Sequence, residues 1–267
     1  MKIRSISLNI VRAFAVIWAS IAILAAPASA MRVSPMVVEM ETRGGNAVAR
    51  IEVQNINAGK LAFETRVYRV DMDADGNLTE TPADEQFLIF PPQGALPASG
   101  RQVVRLQWVG DPEMATSQAY YVSVEQLPIA FDPGSEEEVA AQVQVLYNMR
   151  ALVVVAPPGA KPDVTAEDVR SVVFQPKPAP GAESAPQSVQ GVTVTLRNDG
   201  RRHAMMSNFG WKLVGKDRNG GFLRVDISPE ELTAAVGTGF VAAQSQRTFN
   251  LPVGGFGPEP IELTFQR

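Results

Sequence analysis

Short runs of alternating apolar and polar residues dominate the chain after residue 31, and glycine, proline, asparagine or aspartate bounds most of them. In segment 47–53, for example, the alternation places Ala47, Ala49, Ile51 and Val53 on one face. Alternation of period two predicts half-buried β-strands, and helical periodicity is scarce over the same residues. The pattern therefore predicts an all-β protein.

Roughly seven such strands precede residue 156, which is the number that an antiparallel sandwich of the immunoglobulin type contains. Segment 157–162 (PPGAKP) is a stiff hinge, because proline cannot join a strand ladder and restricts the residue before it. Strands resume beyond it, at 172–174, 192–196, 211–214, 222–225, 247–251 and 261–265. The sequence predicts two immunoglobulin-like β-sandwich domains in tandem, at 31–156 and 163–267, joined by the hinge.

The N-terminal residues have the composition of an export signal. Three basic residues accompany the apolar stretch 13–26, and Ala28, Ser29 and Ala30 form a small-residue cleavage site. The apolar stretch is too short to span a bilayer comfortably. We expect a signal peptide at 1–30, cleaved after Ala30, and no stable membrane insertion.

The composition argues against several functions. The chain has no cysteine and a single histidine, so neither a zinc site built on several such ligands nor a cysteine nucleophile can form. We interpret that histidine, His203 beside Arg201 and Arg202, as a surface residue. The net charge of −4 is mild and interspersed, which argues against a nucleic-acid partner. The sequence predicts a protein that is not an enzyme and needs no cofactor.

One acidic motif resembles the start of a calcium loop. Asp71, Asp73 and Asp75 alternate before Gly76, but Pro82 occupies the twelfth position, where such loops carry a bidentate glutamate. We interpret the motif as a hairpin turn that uses aspartate and glycine for their backbone tolerance.

A long strand predicted at 139–155 is the strongest candidate for a binding site. It places five apolar side chains on one face at spacing two, namely Val139, Ala141, Val143, Val145 and Tyr147. These side chains would belong either to the core of the protein itself or to an exposed edge that binds a partner by β-strand addition. The periodicity leaves both alternatives open.

Three segments resemble a known family. Residues 91–106 (PPQGALPASGRQVVRL) contain a proline pair, a turn and a Gln-Val-Val-Arg strand, residues 121–128 form a strand with an apolar-Pro end, and the strand at 139–155 ends before the hinge. Weaker matches follow at 194–198 and 246–249. These segments resemble the periplasmic chaperones of the chaperone–usher pathway, which build pili and fimbriae. The resemblance covers nearly the whole mature chain.

The resemblance implies a periplasmic chaperone with its two domains in a boomerang arrangement. Such a protein stabilises pilus or fimbrial subunits by donor-strand complementation and delivers them to an outer-membrane usher. The donor strand is the last strand of the first domain, so the implied subunit-binding positions are Val143, Val145 and Tyr147, extended by Ala141 and Val139. A dimer that caps the exposed strand is an additional expectation.

The chain departs from the family at the carboxylate anchor. Family members hold the terminal carboxylate of the subunit with an Arg of the first strand and a Lys of the donor strand. The position of the Arg falls here on segment 35–37, which contains no basic residue, and the position of the Lys falls on Leu152. Arg150, one pleat earlier, and Arg32, the nearest first-strand base, are candidate replacements because a guanidinium binds carboxylates in a bidentate manner. The alternative is that both are ordinary surface arginines.

A second function remains open from the sequence. A structural or adhesive envelope protein could use the same tandem sandwich without donating a strand, because a fold alone does not determine a function. The discriminating feature is whether Val143, Val145 and Tyr147 lie at an open edge or in the protein's own core.

Overall fold

The structure is a computed structural model that describes residues 31–128, 146–176 and 186–266. The described residues form eighteen β-strands, one α-helix and three short 3-10 helices, which confirms the all-β prediction. The strands are β1 (Met31–Ser34), β2 (Val37–Glu41), β3 (Val48–Asn55), β4 (Leu61–Met72), β5 (Leu78–Pro82), β6 (Phe87–Phe90), β7 (Gln93–Leu96), β8 (Arg101–Trp108), β9 (Gln118–Leu127), β10 (Asn148–Ala156), β11 (Val164–Phe174), β12 (Val189–Asn198), β13 (Ala204–Met205), β14 (Gly210–Lys216), β15 (Phe222–Ile227), β16 (Phe240–Val241), β17 (Ser245–Leu251) and β18 (Glu262–Gln266). The α-helix is α1 (Pro229–Val236), and the 3-10 helices are Gly44–Ala47, Asp84–Gln86 and Met206–Asn208.

Strands β1 to β10 form the first sandwich. One sheet has the order β1-β3-β8-β6, and the other has the order β2-β10-β9-β4-β5 with β7 on an end of β4. All pairings are antiparallel except that of β10 with β2, which is parallel. The inward side chains of both sheets form one core, as the alternation predicted: Ile51 and Val53 are fully buried, and Ala47 and Ala49 pack against the same core.

Strands β11 to β18 form the second sandwich. One sheet has the order β11-β12-β17 and the other β15-β14-β18, with the short pair β13-β16 beside them. Its core surrounds the completely buried Trp211, whose indole N–H donates to the carbonyl of Met206 and whose ring meets Phe249 and Phe265 edge-on. Because the chain has no cysteine, apolar burial in two such cores takes the place of disulfides. The prediction of two tandem immunoglobulin-like sandwiches is confirmed.

A buried asparagine lies at the end of a strand in each sandwich. Asn55, the last residue of β3, donates to the carbonyls of Gly59 and Pro97 at 2.8 Å. Asn198, the last residue of β12, donates to the carbonyls of Arg202 and Ala242, and its Oδ1 accepts from two backbone N–H groups. Each amide therefore satisfies the polar backbone of several loops that would otherwise be buried without partners.

Helix α1 was not predicted. Ser228 and Glu231 cap it reciprocally, side chain to backbone, and Pro229 occupies its first turn. Both features are sequence signals for a helix start. The helix has only one completely buried residue, Leu232, which explains why no helical periodicity accompanied these signals.

The acidic motif at Asp71 lies in the β4–β5 hairpin, as interpreted from the sequence. Asp73 Oδ1 accepts from the backbone N–H groups of Asp75 and Asn77, and Asp73 Oδ2 accepts from the Asn77 side chain. These bonds hold the pKa of Asp73 below its usual value. Gly76 has φ of +85°, a left-handed backbone that glycine adopts at no steric cost.

Candidate functional site

The outer face of the sheet that contains β10 carries a cluster of polar and aromatic side chains. Along β10, Ala151, Val153 and Val155 point into the first core, whereas Arg150 and Leu152 point outward by the alternation of a strand. The strands beside it alternate in the same way, and in register Leu152 lies opposite Tyr121, which lies opposite Tyr68 on β4. Side chains from three neighbouring strands therefore meet on this face.

The second sandwich covers one end of this face. Val70, Ala119 and Val154 form an apolar cluster with Phe240 of β16, and Leu152 and Tyr121 pack at its margin. On the opposite side of Leu152 and Tyr121, the face is polar: Ser123 donates to Asn148 and Glu125, and Arg66 pairs with Glu64. The outer face thus passes from an interdomain contact to an open polar surface.

Arg150 lies at this transition. Its guanidinium Cζ is 5.8 Å from the ring centroids of both Tyr68 and Tyr121, a distance at which cation–π attraction operates. Beyond the rings its Nη1 donates to Glu80 Oε1 of the edge strand β5 at 2.7 Å. Partial burial, and then the charge of Glu80, raise the pKa of Tyr121, so this tyrosine stays neutral. We call Arg150, Tyr68, Tyr121 and Glu80 the Arg150 site.

The structure separates the two candidate anchor arginines. Arg32 projects from β1 on the outer face of the other sheet, beside Glu52 and Arg101. Arg150 and Arg32 therefore lie on opposite sides of the first sandwich, and only Arg150 borders the interdomain contact. Whether either residue binds a carboxylate stays a prediction.

Of the five candidate donor positions, four lie outside the described residues, namely Val139, Ala141, Val143 and Val145. Tyr147 is described: it is partly buried, packs against the first core, and accepts a backbone hydrogen bond from Gln126. The preceding Leu146 is 47% exposed. The ladder that begins at Asn148 thus covers only the second half of the strand predicted at 139–155. The role of these positions in subunit binding stays a prediction.

The interpretation of His203 as a surface residue is wrong. The side chain is 4% exposed, its ring stacks on Phe240, and its Nε2 lies 3.8 Å from Glu39 Oε1 of β2. Arg202 pairs with the same carboxylate. The neighbouring Arg201 exchanges hydrogen bonds with the loop before β9, donating to the carbonyl of Ala115 and accepting from the N–H of Ser117. Segment 201–203 therefore fixes the second sandwich to the first, which periodicity within one strand could not predict.

The burial of His203 gives a testable pH dependence. Burial, reinforced by the charge of Arg202, lowers the pKa of His203 to about 4 despite the opposing effect of Glu39, whereas an unfolded histidine titrates near 6.5. The unfolded chain therefore binds the proton more tightly than the folded chain does. The contribution of His203 to stability is fully present above pH ~6.5 and is lost as the pH falls toward 4. Between pH 7 and pH 5 we expect the free energy of unfolding to decrease by about 2 kcal/mol through this residue.

Chemical denaturation of the wild type and of His203→Gln at both pH values measures this effect. The variant should lose the part of the pH dependence that His203 contributes, whatever its absolute stability. An equal pH dependence in the two proteins would contradict a buried neutral histidine.

Other classes of site find no support in the part of the chain that the structure describes. Across residues 31–128, 146–176 and 186–266, no three His, Cys, Asp or Glu side chains are grouped so that they could hold a metal ion. Over the same ranges no helix has the length and apolar character needed to cross a membrane.

The chain is similar to known proteins in its structure but not in its sequence. No protein-family model matches the chain, and no curated protein matches it in sequence. Among solved structures it is similar to the class 5 fimbriae chaperone CfaA, with a TM-score of 0.51, 11% identity and coverage of 89% of this chain and 99% of that one. The E. coli chaperone DraB gives a TM-score of 0.50, 14% identity and coverage of 89% and 96%.

A third similar chain comes from a structure of a chaperone–tip adhesin complex of CFA/I fimbriae biogenesis. Its TM-score is 0.50 at 11% identity, with coverage of 89% of this chain and 99% of that chain. At such identities the likeness concerns the fold, and it extends across both sandwiches. The chain therefore has the two-domain immunoglobulin-like fold of the fimbrial chaperones, and the resemblance inferred from its sequence is confirmed at the level of the fold.

Proposed function

We propose that the protein is a non-enzymatic periplasmic chaperone that stabilises pilus or fimbrial subunits by donor-strand complementation and delivers them to an outer-membrane usher. In this proposal residues 1–30 are a signal peptide removed on export. The domains at 31–156 and 163–267, joined at 157–162, form the working protein, and the segment before β10 is the strand lent to the subunit.

One observation carries the proposal: β10 begins with an open edge. All of β10 up to Val155 pairs with β9, but β2 pairs only with Leu152–Ala156 on the other side. Among the described strands, none pairs with residues 148–151 on that side. An unpaired strand edge is a template for another chain, because its N–H and C=O groups can extend a ladder.

The sequence before β10 suits the same role. Met149 and Ala151 face the first core, and the alternation continues backward with the same spacing through Tyr147, Val145 and Val143. Strand β9 ends at Leu127, and its ladder with β10 begins at the pair Glu125 and Asn148. Alternate apolar side chains next to an open edge are what a subunit that lacks one strand requires.

The Arg150 site supports the proposal independently of the open edge. A guanidinium that lies over two tyrosine rings, on the part of β10 that has the open edge and near the margin of the interdomain contact, can bind the terminal carboxylate of a subunit whose last strand runs along β10. In this proposal Arg150 takes the place of the two bases expected in the family, and Arg32 takes no part.

Co-expression in a bacterial periplasm with candidate pilus subunits from the same genome tests the proposal. We expect a subunit to co-purify with the wild type and to be lost with the Val143→Asp/Val145→Asp variant, because two carboxylates cannot enter the apolar groove of a subunit. The matched control is Gln142→Asp/Gln144→Asp, which adds the same charge to the same segment at positions of the opposite parity.

The control should retain at least half of the subunit, and thermal unfolding should show that both variants are folded. If no subunit co-purifies with the wild type, or if both double variants bind equally well, strand donation by this segment is wrong. A structural or adhesive envelope protein would then be the better explanation of the fold.

A further inference from the structure

The partner of Arg150 in the structure is the carboxylate of Glu80. Glu80 lies on β5, a strand whose five residues are all exposed and which pairs only with β4 among the described strands. In register Glu80 lies opposite Val70 of β4. Arg150 lies three strands away from β5 in the sheet, and its register position is two pleats further along the strands. The Arg150 side chain therefore extends diagonally over Tyr121 and Tyr68 to reach it.

The ion pair is close but accessible to water. The Nη1–Oε1 distance is 2.7 Å, and the side chains of Arg150 and Glu80 are 40% and 27% exposed. Pairs of this exposure contribute little to stability, because water solvates both partners well once they separate. Another carboxylate can therefore replace Glu80 at a small cost in free energy. The tyrosine rings keep the guanidinium in place during this exchange.

We propose that Glu80 is an internal competitor for the Arg150 site: it occupies the guanidinium in the client-free chain, and the terminal carboxylate of a client must displace it. This inference rests on the proposed function and adds a residue that sets selectivity. Groups that bear no negative charge cannot displace Glu80, so the competitor favours a chain end with a free carboxylate over an internal loop or an amide. It also lowers the affinity of the site for small anions.

A titration with a defined probe tests this proposal on the full mature chain. The probe is the tripeptide N-acetyl-Val-Thr-Val, used as the free acid and as the C-terminal amide. The readout is the side-chain Nε–Hε resonance of Arg150 in 15N-labelled protein, identified by its loss in Arg150→Gln. The proteins compared are the wild type, Glu80→Gln and the control Glu64→Gln, which removes a carboxylate of the same outer face that pairs with Arg66 instead.

We expect Glu80→Gln to bind the free acid about threefold more tightly than the wild type does, the increase that loss of a partly exposed competing ion pair would give. The amide should bind equally to both proteins, and Glu64→Gln should behave as the wild type. Equal or weaker binding of the acid by Glu80→Gln would show that Glu80 orients Arg150 instead of competing for it. Absence of any shift of the Arg150 resonance would show that the site does not bind carboxylates. Either result overturns the inference.

The two proposals fail separately. If subunits co-purify with the wild type as described above while the titration shows no carboxylate preference, the competitor role of Glu80 is wrong and strand donation stands. If the titration succeeds but no subunit is bound, the carboxylate site exists without the proposed function.

Discussion

Replacement of Val153 by aspartate is expected to lower the free energy of unfolding of the first domain by at least about 4 kcal/mol, which is enough to unfold many domains of this size. Val153 is completely buried in the middle of β10, between Val38 of β2 and Tyr120 of β9 in register. A carboxyl group there must be desolvated, and no cationic side chain points into this core among the residues that define it.

Urea denaturation followed by tryptophan fluorescence measures this change, since Trp108 belongs to the same core. The control is Val103→Asp, a valine that is 47% exposed on the outer face of β8. Its substitution should change stability by no more than about 0.5 kcal/mol. A Val153→Asp protein as stable as the control would mean that β10 is not a central strand of the first sandwich.

Asn198→Ala is expected to cost about 3 kcal/mol in the second domain. The substitution leaves the N–H groups of Asp163 and Gly200 and the carbonyls of Arg202 and Ala242 without their side-chain partner in a buried position. It also frees the segment that brings Arg202 and His203 into contact with the first sandwich. We therefore expect lower stability together with weaker contact between the two domains.

Thermal unfolding by circular dichroism gives the stability change, and hydrogen exchange of the N–H of His203, which donates to Ser117 Oγ, reports on the interdomain contact. Asn219→Ala, at an exposed turn between β14 and β15, is the matched control and should leave both measurements unchanged. Slow exchange at His203 in Asn198→Ala would contradict the link between the asparagine and the contact.

Local patterns predicted the strands well and the contacts between strands poorly. The alternation around Ile51 and Val53 predicted β3 and its buried face, because a half-buried strand imposes period two on its own sequence. The pairing of Tyr68 with Tyr121 depends on the register of β4 against β9, which no local pattern encodes. The sequence therefore indicated Arg150 but not Tyr68, Tyr121 and Glu80.

Two further differences have specific causes. Helix α1 had a signal in the capping pair Ser228 and Glu231, but no apolar periodicity accompanied it because the short helix buries little. His203 had no signal: basic neighbours and a turn-like context indicate a surface, and only the docking of the second sandwich on Glu39 makes that surface an interior. Interfaces between domains are formed by residues that each domain alone would expose.

The parallel pairing of β10 with β2 and its antiparallel pairing with β9 have a mechanical consequence if the strand is lent to a client. Traction along the donated segment would load both ladders in shear, so that many hydrogen bonds share the force at once. If the client strand instead separates from its free end, its hydrogen bonds to the donated strand would break one at a time. Handover to the next binding partner would then proceed at low force while the domain that held the client stays intact.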